Sequence, residues 1–462
     1  MRALLVAGVS VFPIVMTAMT VMTAAAQSPP VVMPQDTSQE TMRHESTRAA
    51  EGPPLSLKTA LDEALSLNPE LIALRRQFDA ARQRPAQERS LAAPTLDAQI
   101  WQWPLRTLNP ADTNMYMLTA SQTLPGRGKR ELRAAVAAKE ADMAASDIAV
   151  RARDLLDAVK QAYAELFLTR TAIDVHLASV DLLRQFADVS SIKYATGRIP
   201  QQDVLKAVLE ISKLHEDLLM LDERARVAAA RLNTLLDRRP ESPVGPLEAP
   251  DARVLVTPVA ELQRLAVDSQ PELRGAQVGV ERAQAALAVA NREYKPDYTV
   301  TGGYMLLPRD RDAWTGSIGI TWPTAPWARG RLDAQRADMT SQVEAARAKQ
   351  RAALNGIRLA VQEAYIRVKT AEQRAALART TVIPQAAQTL EASRLAYQTD
   401  RVDFLALIDN QRTLLQSQLG YYRALSDLAQ ARADLERAVG ADLRPAMFAG
   451  AVAAASAQEE SR

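Results

Sequence analysis

From Lys129 to Tyr194 the chain contains neither proline nor glycine. A helix over that stretch spans on the order of 100 Å at about 1.5 Å per residue. Globular domains rarely hold a helix beyond about 25 residues, so the length alone predicts a coiled coil. The following segment supplies the partner. Val204/Ala207, Ile211/Leu214, Leu218/Leu221, Ala225/Ala228 and Leu232/Leu235 place apolar or small residues at successive a and d positions. Between the two runs stands KYATGRIPQQDVL (193–205), the expected tip of a helical hairpin.

A cousin of that tip, AYQTDRVDFLALI, occupies 396–408. It belongs to a second copy of the whole unit. Pro69, Pro94, Gly128 and Tyr163 recur 202 residues later as Pro271, Pro296, Gly330 and Tyr365. Further along the spacing is 203, from Tyr194, Arg198 and Leu232 to Tyr397, Arg401 and Leu435. Matched proline and glycine punctuation is not expected from chance pairing of Ala-rich helices. The second a/d column is Leu407/Asn410, Leu414/Ser417, Tyr421/Ala424, Leu428/Ala431 and Leu435/Ala438. It is smaller at d, which favours close helix approach. Pro384, inside the second long segment, predicts a kink or restart there.

Each copy carries two short segments between its helices. In 314–322, Trp314, Ile318, Ile320 and Trp322 alternate with Thr315, Ser317, Gly319 and Thr321; period two means a strand. In 297–305, Tyr298, Val300 and Tyr304 alternate with Asp297, Thr299 and Thr301. The segments 95–103 and 115–124 hold the same places in the first copy. Nine residues extend about 30 Å, enough for a tilted bilayer crossing. All five tryptophans (101, 103, 314, 322, 327) lie in or beside these segments. Apolar–polar alternation with aromatic ends is the pattern of an outer-membrane barrel strand. The alternative is a pair of surface hairpins with one buried face. Four strands cannot close a barrel, because the smallest known use about eight and an open edge in lipid costs several kcal/mol per unpaired group. Spanning strands therefore imply that several chains share one barrel.

Composition narrows the function. Lys+Arg is 56 against Asp+Glu 54, a net charge of +2, which gives no nucleic-acid footprint. With no cysteine, disulfides, thiolate metal sites and cysteine nucleophiles are excluded. His44, His176 and His215 are scattered, so neither a histidine metal site nor a catalytic triad is expected, and no cofactor. The glycines of PGRGK (125–129) fail the phosphate-loop spacing and read as a strand-to-helix turn. At the N-terminus, Arg2, the apolar run 3–22 and Ala24-Ala25-Ala26 predict a secretory signal peptide over 1–26. A flexible leader over 27–54 follows. Without cysteine the mature chain is not a cysteine-anchored lipoprotein. The expected organisation is repeat 1 over 55–253, with long helix 129–194 and return helix 201–237. Repeat 2 covers 254–440, with long helix 331–397 and return helix 404–439, and a flexible tail occupies 441–462.

The ordered set, twice, resembles the TolC family of outer-membrane efflux factors from about Leu55 to Gly440. The features that carry the resemblance are Asn68-Pro69-Glu70-Leu71, QTLPGRGKRELR (122–133), YATGRIPQQDVLKA, LNTLLD and LERAVG. The Gly-Lys-Arg junction is most similar to the heavy-metal branch of cobalt–zinc–cadmium and copper/silver efflux factors. The resemblance implies a mainly α fold with a small β part. Long antiparallel hairpins would form a periplasmic α-barrel, and four strands per chain a twelve-stranded barrel in a homotrimer. It implies a non-enzymatic exit duct in the outer membrane, in contact with its lipid. The duct would dock through a periplasmic adaptor to an inner-membrane transporter of the RND type, exporting heavy-metal ions or drugs. A type I protein secretion duct is the alternative within the class; a soluble periplasmic coiled-coil adaptor or scaffold is the alternative outside it.

Carried onto this chain, the adaptor-docking tips are Tyr194, Gly197, Arg198 and Ile199 in one copy and Tyr397, Asp400, Arg401 and Val402 in the other. Gate carboxylates resemble Asp203 and Asp409, with Arg198, Arg401 and Asp403 as candidate partners. Ala406 stands where relatives often carry another Asp, so no double acidic ring is carried over. Three-fold symmetry would triple any pore-facing carboxylate and raise its pKa by like-charge repulsion. The alternative is solvated turn charges worth under about 1 kcal/mol each. Asp400 replaces the turn glycine, which leaves open whether the second turn keeps the same shape. Girdle aromatics are expected at Trp101, Trp103, Tyr116, Tyr298, Tyr304, Trp314 and Trp322.

Overall fold

The computed structural model describes residues 53–449 apart from 103–104, 108, 110–111 and 309. The expected signal peptide, nearly all of the leader, Trp103 and positions 450–462 lie outside the described residues.

Repeat 1 runs α1 (Leu57–Leu67), α2 (Pro69–Ala81), α3 (Arg84–Arg89), β1 (Thr95–Trp101), β2 (Met115–Leu124), α4 (Lys129–Ala195) and α5 (Gln201–Leu235). Repeat 2 runs β3 (Val254–Leu255), α6 (Val259–Ser269), α7 (Pro271–Arg292), β4 (Tyr298–Leu306), β5 (Ala313–Ile320), α8 (Pro326–Leu377), α9 (Ile383–Gln398), α10 (Phe404–Val439) and β6 (Phe448–Ala449). No helix among the described residues is long and apolar enough to cross a membrane.

Before each strand pair the helical stretch is broken in both copies, and the Pro-Glu-Leu triplet marks the break. Pro69 and Pro271 each start a new helix, where the missing N–H costs nothing. Asn68 caps α2 by accepting from the Glu70 and Leu71 amides (3.0 and 3.3 Å) and donates to the Leu235 carbonyl (3.3 Å). Gln270, its counterpart, donates to the Arg437 and Ala438 carbonyls (3.0 Å each). The motif thus ties the entry of each repeat to the end of its return helix.

The heptad columns are the hairpin cores. Val204, Ala207, Ile211, Leu214, Leu218, Ala228 and Leu232 are buried on α5; Leu407, Ala424, Leu428, Ala431, Leu435 and Ala438 are buried on α10. Helix α4 has more partners than its return helix, packing also on α7 and α10 and so joining the repeats. Near the tips one core spans both hairpins, with Leu183 and Phe186 of α4, Ile211 of α5, Tyr397 of α9, and Phe404 and Leu407 of α10.

The second long segment starts at Pro326, earlier than the expected 331, and is interrupted by a π turn over Ala378–Val382. Pro384 sits in the first turn of α9, which restarts there. A π turn absorbs one extra residue in an α-helix. The repeat spacing changes from 202 at Tyr163/Tyr365 to 203 at Tyr194/Tyr397, so this turn lies in the interval that houses the insertion. It also widens the backbone where the proline ring would meet the carbonyl four residues back.

At the hairpin bases the connections are tied in. Tyr163 donates to the Leu55 carbonyl (2.9 Å) and accepts from the Glu248 amide (2.7 Å). Arg432, buried, donates to the Asp251 and Arg253 carbonyls, while Glu372 accepts from the Leu255 amide (2.7 Å). The tail expected to be flexible from 441 is ordered to 449. β6 pairs with β3, and the Arg432 and Arg253 guanidinium groups lie 4.9 and 5.4 Å from the Phe448 ring centre. Two stacked cations and a strand pair hold it in place.

Candidate membrane sheet and hairpin tips

The four strands form one antiparallel sheet in the order β1-β2-β4-β5. Directly opposed residues of an antiparallel pair share a face. Ala98 opposes Leu118, which opposes Tyr304, which opposes Trp314. Following such rows places Leu96, Ile100, Tyr116, Leu124, Tyr298, Val300, Leu306, Ile318 and Ile320 on that same face. The other face carries Asp97, Gln99, Thr119, Ser121, Thr123, Thr299, Thr301, Thr315 and Ser317. On the apolar face Trp314 is 82% and Ile318 74% exposed, and β1 is exposed along its whole length. Both edges, β1 and β5, are unpaired in the single chain.

Of the aromatics expected in a girdle, Tyr116, Tyr298, Tyr304 and Trp314 lie on the apolar face. Tyr304 and Trp314 meet edge to face at 5.2 Å. Trp322 lies just beyond β5 and contacts Trp327 at 6.1 Å. Trp101 is a correction. It opposes Met115 and its indole donates to Gln99 (2.9 Å), so it belongs to the polar face. Period two puts it one residue out of phase with Ile100, whatever its position at the strand end.

Below the sheet, PGRGK is the strand-to-helix turn. Gly128 has φ +86°, and a Cβ on Gly126 would lie 2.5 Å from the Pro296 carbonyl oxygen. Lys129, the first residue of α4, is buried to 2% exposure. Its ammonium lies 3.0 Å from both Glu293 and Asp297 of repeat 2. Asp297 also accepts from the Gly126 amide (2.6 Å), and Arg133 pairs with Glu293 (2.8 Å). Burial raises the Glu293 pKa, but Lys129 and Arg133 outweigh it and hold the carboxyl below its ordinary range.

At the far end, the two tips have one backbone. Gly197 and Asp400 adopt φ +72° and +56°. In each, the next amide bonds back five residues, Arg198 to the Lys193 carbonyl and Arg401 to the Ala396 carbonyl, both 2.9 Å. This is the Schellman closure of a helix. Asp400 thus reproduces the glycine turn, and its side chain adds a contact glycine cannot make. Lys193 of the first tip donates to Asp400 (2.5 Å) and to the Tyr397 carbonyl, with its ammonium 4.2 Å from the Tyr397 ring centre. Ser190 and Tyr397 hydroxyls are 3.0 Å apart, and Arg198 approaches Asp400 at 3.8 Å. The Lys193 hydrogen bond holds the Asp400 carboxyl below its ordinary range, against slight desolvation. Burial pushes the Tyr397 phenol up, with Asp203 and Asp400 adding to it against the Ser190 hydrogen bond.

The other expected gate residues are dispersed. Asp403 caps α10, accepting from the Ala406 amide at 3.0 Å. Asp409 is exposed and 3.5 Å from Arg412, while Asp203 is half-buried in the first turn of α5. Arg401 is exposed; Tyr194 is 37% exposed, and Ile199 and Val402 are half-buried. Sequence reasoning missed Lys193 and Ser190, whose partners lie across the repeat in residues 207 positions away.

A short amphipathic sheet with two open edges, mounted on helical hairpins whose long arms run about 100 Å, defines the fold class, and it is the class of the outer-membrane channels to which the chain is similar. Residues 60–238 match the family model "Outer membrane efflux protein". The chain is 24% identical over 405 residues to the cobalt-zinc-cadmium resistance protein CzcC of Cupriavidus metallidurans, covering 85% of this chain and 91% of the relative. It is 24% identical over 341 residues to nodulation protein T of Rhizobium leguminosarum bv. trifolii, covering 70% of each. The fold matches the outer-membrane channel OprN (TM-score 0.69, 17% identity, 90% of this chain and 98% of that chain). It also matches CusC (TM-score 0.71, 17% identity, 90% and 99%). Along most of its length the chain is thus similar to TolC-type outer-membrane efflux factors.

Proposed function

We propose that three copies of this chain form the exit duct of a tripartite efflux system, with a shared twelve-stranded barrel in outer-membrane lipid. The observation that carries this reading is the sheet: one face apolar, the other polar, both edges unpaired. In water the apolar face would leave Trp314, Ile318 and Leu96 without cover. In lipid that face is satisfied, and only closure with further copies satisfies the edges. A periplasmic adaptor would dock at the paired tips, and an inner-membrane transporter of the RND type would supply energy and select the substrate. The likeness to CzcC supports heavy-metal ions as cargo. Extraction with detergent from the outer membrane as a particle of three chains supports the duct. Release as a free periplasmic monomer refutes it. Loss of metal tolerance on deletion of the gene, restored by the intact chain, tests the cargo; unchanged metal tolerance with lost drug tolerance assigns drugs instead.

A further inference from the structure

Repeat 1 meets repeat 2 through β2 with β4 and through α4 with α7 and α10. A ring that closes by the same step repeats this interface between repeat 2 of one copy and repeat 1 of the next. This step rests on the reading of the chain as one of three copies. Adding 202 to an α4 residue before the π turn, and subtracting 203 from an α10 residue, converts each intramolecular contact into its image at the seam.

Away from the shared apolar core near the tips, the contact of α4 with α10 is polar. Arg437 pairs with Asp154 (2.6 Å), Lys160 with Glu436, and Gln161 donates to both Asp157 and Asp434 (2.9 and 3.2 Å). Ser426 donates to the Ala164 carbonyl (3.1 Å). At the seam Asp154, Asp157 and Lys160 lose their charge, while the image of Gln161 with Asp434 is Glu363 with Arg231, a pair of opposite charge. The images of Asp154, Asp157, Lys160 and Ala164 are Gly356, Leu359, Gln362 and Ile366. On α5 the images of Tyr422, Arg423 and Gln430 are Leu219, Met220 and Val227. Leu359, Ile366, Leu219 and Val227 are 59, 53, 62 and 63% exposed in the single chain. Arg231, the image of Asp434, faces Glu165 of its own repeat at 3.7 Å.

We propose that these two uncovered apolar stripes are the halves of one interface. Leu359 and Ile366 of one copy pack against Leu219 and Val227 of the next, an apolar contact around Glu223 and beside the Glu363–Arg231 pair, where the internal interface at the same level is polar. The occupant is a second copy of this chain, because Ile366 is the image of Ala164 in a contact the chain already makes with itself, and Leu219 and Val227 lie one helical turn either side of Glu223, the image of its partner Ser426. The ionic contacts at the two ends are also lost. The image of Lys193 with Asp400 is Ala396 with Gly197; the image of Lys129 with Glu293 and Asp297 is Arg331 with Leu91 and Thr95. The tips are therefore latched in pairs within each chain, and the seams lack that latch.

The natural chain is cysteine-free, so paired cysteines test the seam directly. Ile366→Cys with Glu223→Cys is the image of Ala164 with Ser426. Oxidation should give covalent trimers on a non-reducing denaturing gel. Ala164→Cys with Ser426→Cys should link only within the chain and run as a monomer. A strand pair separates this seam from the trimer reading. Aligning Thr123-Leu124-Pro125 with Thr321-Trp322-Pro323 places Ile320 opposite Ala98 of the next copy, as Gln122 opposes Val300. If Ala98→Cys with Ile320→Cys links copies while Ile366→Cys with Glu223→Cys does not, the seam is overturned and the ring stands. If neither links and the mass in detergent is that of one chain, both fall. A linked helical pair supports the seam whatever the strands do.

Discussion

Neighbouring residues of β5 should respond oppositely to the same charge. Ile318 lies on the apolar face opposite Val300, and Ser317 lies on the polar face opposite Thr301. The middle row of the sheet runs through Ala120, Gly302 and Gly316. Ile318 is two residues from it, about 7 Å along the strand, or about 5 Å of depth at a tilt near 45°. An arginine on the lipid face costs about 2–4 kcal/mol at the midplane and about 0–1 near the interface. At that depth Ile318→Arg should cost roughly 1.5–3 kcal/mol per chain, about tenfold to hundredfold in the insertion equilibrium. Ser317→Arg should cost little, because its side chain enters a polar face. The assay is reversible folding into lipid vesicles along a urea series, with the intact chain as reference. Equal losses for both variants, or a larger loss for Ser317→Arg, would refute the assignment of faces and with it the barrel.

Lys193→Met should loosen the tips, raising single-channel conductance in planar bilayers; unchanged conductance would show that the latch does not limit the pore. The Asp400 pKa is depressed in the folded chain, so its pairing is fully present above the ordinary carboxylate value and fades as pH falls through the lowered one. Conductance of the intact chain should therefore owe no change to this pair between about pH 5 and 8. Asp203→Ala or Asp409→Ala should alter conductance or cation block if either carboxylate faces the constriction; unaltered values in both would place them outside it. Leu232→Ala, at a fully buried hairpin position, should destabilise the helical domain by about 2–5 kcal/mol, read from thermal loss of helical signal. Deleting one residue within 378–382 should preserve assembly by converting the π turn to regular helix, whereas deletion near 360 should abolish it by rotating the downstream faces about 100°.

What could be read along the chain was whatever depends on period and punctuation. Heptads show because a hairpin core recurs on its own helix, strands because side chains alternate, and the repeat because proline and glycine cannot be moved without breaking a turn. Even Trp101 was readable, since its phase against Ile100 contradicts a place on the lipid face. Pro384 announced an interruption, though not its form. Only the folded chain shows the π turn that houses the extra residue, because hydrogen-bond spacing is a property of the backbone.

The charged latches belong wholly to the tertiary structure. Nothing near Lys129 in sequence marks it as a buried ammonium; Glu293 and Asp297 reach it from the other repeat, and a buried charge needs such partners. Asp400 is the clearest case. By itself it is a second-best residue at a left-handed turn position. Beside Lys193 it joins two hairpins that the sequence presents as separate copies of one motif. Sequence determined the hairpins, strands and doubled plan, because these follow from local periodicity. Tertiary structure decided which charges meet and which apolar stripes stay open for another copy, because those depend on residues about two hundred positions apart brought within a few ångströms.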